Sequence, residues 1–237
     1  MRSFIDLMES RVSQERYEQA LDELFTVFKS RQKVAPAQTR DLRTLEEASL
    51  ETIKRGVHNY LLLAAPIAVG KSSIGKVLET KGLQRIVRTT NRRPRPGERD
   101  GVDYFFLDSN EFDKQLEDGR LIIPSEVGST RWATDKMELD RRLQAGPVMY
   151  MECGVQTLIQ AKQLPGRPLG TFILPPSFEV WMDRINARKQ DGMDEVEIHR
   201  RAEQSLWQIT QSAQCADLYV VNDEVSRVST LLAGIFS

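Results

Sequence analysis

A chain of 237 residues, 40% hydrophobic and 28% charged, has the length for one large α/β domain, or one domain with an appendage, and the composition of an ordinary soluble globular protein. Its formal net charge of −1 excludes a global electrostatic pull toward nucleic acid or an anionic membrane, so any such pull must be local. No apolar run approaches a membrane span, MRSFIDLMES lacks the apolar centre of a secretory signal, and the distant Cys153 and Cys215 suit reduced, buried thiols, so the cytoplasm is the expected compartment.

Over residues 1–30, Phe4, Ile5, Met8, Val12, Leu21, Leu24, Phe25 and Phe28 recur at roughly helical spacing among charges and predict one or two amphipathic helices. Pro36 breaks that pattern, and a second helical stretch is expected over about residues 40–54, ending near Gly56. Residues 1–56 thus form a helical N-terminal extension. It reads either as an appendage packed on the core or as an arm for a protein partner or a second copy of the chain.

Tyr60 to Ala64 is a short apolar run, as expected of a parallel strand covered on both faces. The residues that follow, APIAVGKS from Ala65 to Ser72, fit the phosphate-cradle pattern, with Ala where the commoner form starts with Gly. A loop that wraps a phosphate turns its backbone N–H groups inward, and the helix after it adds unpaired N–H groups and a positive dipole end. Ala65, Pro66, Ala68, Val69, Gly70, Lys71, Ser72 and Ser73 are therefore the expected nucleotide-binding residues. Lys71 would reach the β- and γ-phosphates, and the Ser72 hydroxyl would bind Mg²⁺. Ala65 and Ala68 stand where Gly would ease close backbone approach.

The next informative stretch is RIVRTTNRRPRPGERDGVDYFF, Arg85 to Phe106, with five arginines between Arg88 and Arg99. Aromatic residues are not interleaved with them and acidic residues follow at once, which argues against a nucleic-acid patch. Pro94, Pro96 and Gly97 fix a loop, and Asp100-Gly101 is a turn before a strand of alternating character over 102–107. A rigid loop lined with arginines suits recognition of a phosphate by forked guanidinium contacts. The chain so offers two phosphate sites, one in a loop–helix cradle and one in an arginine loop. His58 and His199, isolated from each other, make no metal set.

This combination resembles the guanylate kinase family, whose acceptor signature Ser-x-Thr-Thr-Arg-x-Pro-Arg-x-Gly-Glu, then Gly and Tyr, matches in register from Arg88 to Phe106. The likeness continues through Glu111-Phe112, Gly119, the strand Val148 to Cys153, FILPPSFE, WMDRINARK and LYVVNDE, and covers about residues 59–236. It implies a P-loop NTPase three-layer α/β fold with a parallel central sheet over residues 57–237. A partly antiparallel acceptor-binding insertion is expected over about 88–145 and a mobile lid over about 184–201. It also implies ATP and Mg²⁺ as cofactors and phosphoryl transfer to a nucleoside monophosphate.

Residue by residue, the resemblance places Arg92, Arg95 and Tyr104 on the acceptor's phosphate, with Glu98 orienting the arginines. Lys71 and Ser72 match the donor-phosphate and Mg²⁺ positions, and Glu152 keeps the acidic strand end near Mg²⁺. Arg184, Arg188 and Arg201 match arginines that close over the transferring group, and Asn222 and Asp223 the strand end beside the adenine. The base-reading positions depart from the family. Ile123 stands where a Glu, and Gly154 where an Asp, would read guanine; Arg88 replaces a Ser, Trp132 a Tyr and Thr134 a neighbouring Ser. A site that lacks both carboxylates loses the acceptors for the guanine N–H groups, and such buried partners set selectivity by about 10⁴ to 10⁵. The expectation is a kinase with specificity altered away from GMP, with Glu126 and Glu152 as the nearest acidic residues able to compensate. The alternatives are an inactive scaffold or binding module and a kinase of a sugar phosphate or modified nucleotide.

Overall fold

The computed structural model describes residues 12–32, 41–54, 57–146, 148–160, 163–190 and 195–236. Phe4, Ile5, Met8, Pro36 and Gly56 lie outside them.

β1 (Tyr60–Ala64) is buried at every position, as its uninterrupted apolar run requires of a strand covered on both faces. It sits at the centre of a five-stranded parallel sheet, between β7 (Met149–Cys153) and β8 (Pro168–Leu174), with β2 (Gln84–Arg85) on one edge and β9 (Leu218–Val221) on the other. The register sets Ala64 level with both Cys153 and Phe172. The loop after β1 and the acidic end of β7 therefore emerge together at the carboxyl edge, where ligands of open parallel sheets bind.

A second, four-stranded sheet runs in the order β4 (Phe105–Phe106), β3 (Thr89–Thr90), β6 (Thr130–Asp135), β5 (Leu121–Val127). β3 pairs parallel with β4 and antiparallel with β6, and β5 pairs antiparallel with β6. This unit has its own small core of Phe112, Leu121 and Ala133. The strand expected over 102–107 is shorter than its alternation suggested. Gly101 takes φ 71°, Asp103 accepts from the Arg99 amide, and Asp100 accepts from the Phe106 amide, so the side chains fold the first half into a turn.

The sheets are flanked by helices: α1 (Gln14–Gln32), α2 (Leu42–Glu51), α3 (Lys71–Thr80), α4 (Ser109–Glu117), α5 (Lys136–Ala145), α6 (Val155–Ile159), α7 (Phe178–Gln190), α8 (Glu195–Cys215) and α9 (Val225–Gly234). Local chemistry sets their ends. Asp108 caps α4 by accepting from the Glu111 amide at 2.8 Å, Asp135 caps α5 through Glu138 at 3.0 Å, and Gly146 closes α5 at φ 76°.

The N-terminal helices are built into the body. Val12, Tyr17, Leu24, Phe28 and Leu45 belong to the same buried cluster as β1, and α1 lies along α8, where Arg31 donates to the carbonyls of Ala213 and Ala216. α2 covers the open edge of β9: Ser49 Oγ accepts from the Tyr219 amide at 3.0 Å and Glu46 Oε2 from the Val221 amide at 2.6 Å. Side chains thus satisfy the ladder groups that an edge strand leaves unpaired. Around Glu46 gather Arg43 and Arg227, both of which also pair with Asp223. The described helices α1 and α2 are packed on the body through these residues.

Candidate active site

The loop between β1 and α3 is held from outside. Trp181 Nε1 donates to Ile67 O at 2.8 Å, Ser205 Oγ accepts from Ile67 N at 3.0 Å, and Asn222 Nδ2 donates to Val69 O at 2.6 Å. Gly70 sits at φ 95°, and a Cβ there would lie 2.7 Å from Asn222 Nδ2, so the position requires glycine. Ala68 is held at φ 61° with a side chain that disfavours it, and the loop keeps the turn at the cost of local strain. Pro66, Gly70, Lys71, Ser72 and Ser73 line a cleft of about 310 Å³ together with Ala65, Ala68 and Val69. The first amides of α3, which no helix can pair internally, open on the same space.

Lys71 Nζ donates to Cys153 O at 2.8 Å, and Ser72 Oγ donates to Glu152 Oε2 at 2.8 Å. Gly75 makes this meeting possible: a Cβ there would come within 2.9 Å of Tyr150 and 3.2 Å of Glu152. A hydroxyl and one carboxylate suit Mg²⁺, which keeps several waters and shares the nucleotide's phosphates rather than demanding an all-protein cage. Among the described residues no group of three or more His, Cys, Asp or Glu could hold a metal alone. Burial pushes the Cys153 thiol up to about 11, so it is a neutral buried group whose carbonyl does the work.

Across the cleft, Arg92 makes a two-pronged pair with Glu98, both bonds 2.6 Å, and Glu98 also accepts from the Arg95 amide at 2.8 Å. These bonds, that of Arg92 first, hold the Glu98 carboxyl below its ordinary range. Arg92 stacks over Tyr104 at 4.9 Å. Arg95 and Arg201 line the same space. The Arg95 guanidinium has no carboxylate partner among the described residues; burial and then the neighbouring Arg92 and Arg201 cations depress its pKa. Arg201 is oriented by Glu197 at 2.6 Å, a carboxylate drawn down to about 2 chiefly by its hydrogen bonds to Arg200.

Arg88, 4% exposed, also lines the cleft. Its Nη2 reaches only neutral acceptors, Ile123 O at 3.4 Å and Ser125 Oγ at 3.2 Å, and its buried Nε has no partner. Ile123 stands at φ 53° beside an irregularity of the β5–β6 ladder between Ile122 and Ser125. A β-branched residue in this region is strained, and the strain falls beside the cleft, where its carbonyl meets Arg88. Trp132 and Gly154 line the cleft as well.

Several expected residues are placed elsewhere. Arg184 does not line the cleft; it donates to Val69 O and Asn222 O, bracing the loop from behind. Asn222 is 1% exposed and spends its amide on the loop, and Asp223 spends its carboxylate on Arg43 and Arg227. The Ile123 side chain and Thr134 are buried away from the cleft, Thr134 Oγ1 against Met151 Sδ. Glu126 is exposed and outside it, so it compensates for no missing carboxylate. Arg188 belongs to α7, but its side chain lies outside the described ones, as do residues 191–194 of the expected lid. Sequence reasoning missed Gln204, Ser205 and Gln208, which line the cleft with Arg201. Their i, i+3, i+4, i+7 spacing from Arg201 was the available signal.

Strand, cradle and helix, with a parallel sheet and an arginine loop that lines the same cleft, define a P-loop fold of the nucleotide-kinase type. The guanylate kinase family model matches residues 57–237. A guanylate kinase of Bordetella pertussis is 32% identical over 181 residues, 76% of this chain and 83% of its own. One from Thermus thermophilus is 36% identical over 157 residues, 65% of this chain and 70% of its own. A crystal structure of guanylate kinase from Anaplasma phagocytophilum superposes with a TM-score of 0.57 at 21% identity, over 77% of this chain and 86% of that one, and shares the fold. The chain belongs to the guanylate kinase family. It is accordingly a phosphotransferase of the nucleoside monophosphate kinase class, which uses ATP and Mg²⁺.

Proposed function

We propose that the chain transfers the γ-phosphoryl group of ATP to a phosphate-bearing acceptor other than ordinary GMP. The observation that carries this reading is the base end of the cleft, which presents a buried cation, Arg88, and no carboxylate for the N–H groups of guanine. The kinase unit spans residues 57–237, with the acceptor-binding insertion over 88–145 and the lid over 184–201, and the N-terminal helices brace its β9 edge.

In this reading Lys71 leaves Cys153 O for the β- and γ-phosphates, and the loop amides hold the phosphate oxygens. Ser72 and Glu152 would hold Mg²⁺, which would supply neutralisation of phosphate charge. Arg92, Arg95 and Tyr104 grip the acceptor phosphate, with Glu98 fixing the fork of Arg92. Arg201, and Arg188 by resemblance, meet the charge that spreads over the transferring group. The acceptor phosphate is already a nucleophile near neutral pH, so no general base is required, and closure of the cleft supplies alignment and excludes water.

The scaffold alternative would leave Lys71, Ser72 and Glu152 without a task, and their mutual placement favours an enzyme. The test is ATP turnover with Mg²⁺ against ribo- and deoxyribonucleoside monophosphates and sugar phosphates, with Lys71→Ala as the blank. Turnover of an acceptor other than GMP, absent from the blank, is the expected result. No turnover together with no ATP binding would overturn the reading.

A further inference from the structure

Arg88 is a charged lining residue that the transfer chemistry above does not use. Lys71, Arg92, Arg95 and Arg201 line the same cleft, whereas among the described residues Glu152 is the only lining carboxylate, and it is engaged with Ser72. Glu98 and Glu197 are spent on Arg92 and Arg201. Taking a guanidinium out of water is costly unless a charge or several short hydrogen bonds replace the water. Arg88 has neither: two long contacts to neutral oxygens and one bare N–H.

We propose that the acceptor carries a second anionic group, a carboxylate or phosphate remote from the phosphate that is phosphorylated, and that Arg88 pairs with it. The inference rests on the reading of this cleft as the acceptor site. A neutral base carbonyl would accept one hydrogen bond but leave the buried charge uncompensated, whereas an anion meets both needs with forked geometry. Among the described residues only Glu152 brings a carboxylate to the cleft lining, so little there repels an anion. The Ile123 carbonyl, turned toward Arg88 by its left-handed backbone, and Ser125 Oγ hold the guanidinium side-on until the ligand arrives. Arg88 is thus a specificity residue for an acceptor with two anionic ends, gripped by Arg92, Arg95 and Tyr104 at one end and by Arg88 at the other.

The experiment is calorimetric titration of the full chain without ATP, using acceptor pairs that differ by one anion: orotidine 5′-monophosphate against UMP, and adenosine 3′,5′-bisphosphate against AMP. Wild type is expected to bind the doubly anionic member of at least one pair about a hundredfold more tightly. Arg88→Met should erase that difference, and Arg88→Lys should keep part of it. Thermal unfolding of the ligand-free proteins separates structure from recognition: Arg88→Met should melt no lower than wild type, because it removes a charge without a partner. Equal binding within every pair, a preference that survives Arg88→Met, or a melting temperature several degrees lower in that variant overturns the proposal. Because the titration omits ATP, discrimination without any later turnover would leave the second-anion site standing and remove the kinase reading. Turnover of phosphate acceptors by wild type, together with equal binding within every pair, would do the reverse.

Discussion

At the donor end of the cleft Lys71 and Ser72 are engaged with β7 and the loop is braced by Trp181, Asn222 and Arg184, whereas at the base end a buried Arg88 has only long contacts to neutral oxygens. The donor end must hold a constant ligand, the polyphosphate of ATP, and it keeps the parts that recognise one. In the proposed reading the base end sets which acceptor enters, and Ile123 and Gly154 stand where the family resemblance places carboxylates. If the proposed function holds, the transfer chemistry and the choice of acceptor are separable within one cleft. On this proposal the first would reside in the loop backbone and Lys71, the second in Arg88 and the residues around it.

Breaking the donor end should have the largest effect. Lys71→Ala is expected to lower phosphoryl transfer roughly 10³-fold, because it removes a positioned cation from the developing charge. A steady-state assay that finds full rate would remove the kinase reading. The outer brace comes next. Glu46→Ala leaves the Val221 amide without its acceptor and takes one of two carboxylates from Arg43 and Arg227, and should cost about 2–4 kcal/mol in urea unfolding. A neutral result would mean that the N-terminal helices contribute little to β9.

Arg95→Ala addresses the acceptor side alone. It should raise the KM for the acceptor by some tens of fold while that for ATP stays within about twofold. Equal effects on both would make Arg95 a structural residue. Ala68→Gly should relieve the left-handed strain in the cradle and stabilise the fold by about 1 kcal/mol, measured by the same unfolding experiment. A loss of stability would show that the loop depends on the Ala68 methyl.

The smallest effect is acidic. The Glu98 carboxyl is held below its ordinary value, so its hold on Arg92 and Arg95 is complete at neutral pH and fades as the pH falls below about 4. Acceptor binding should weaken in that range before the loop–helix cradle loses its own affinity for nucleotide, and Glu98→Gln should show the weakened binding already at neutral pH. Parallel titrations of acceptor and nucleotide across acid pH would check it.

Much of this was legible in the sequence because it depends on local pattern. The all-apolar Tyr60–Ala64, the cradle residues and the proline-fixed arginines announce strand, loop and phosphate contact without knowledge of the rest. What escaped depends on distant partners. The Asn222 amide is spent on Val69, 153 positions away, and Arg184 is turned to the same loop, partners that no local pattern announces. The alternation over 102–107 promised a strand, but Asp100 and Asp103 drew the backbone into a turn. The N-terminal helices read as amphipathic, yet only the fold shows that Ser49 and Glu46 pair the edge of β9. The replacement of Ser by Arg88 was visible; its burial without a countercharge was not.

The most direct test of the separation between the two ends is kcat/KM for GMP, measured with saturating Mg²⁺-ATP beside the best acceptor of the panel. The account predicts GMP to be at least about 10³-fold poorer, since no buried carboxylate receives its N–H groups. GMP as the best acceptor would contradict it, and would mean that this cleft reads guanine by contacts other than the missing carboxylates.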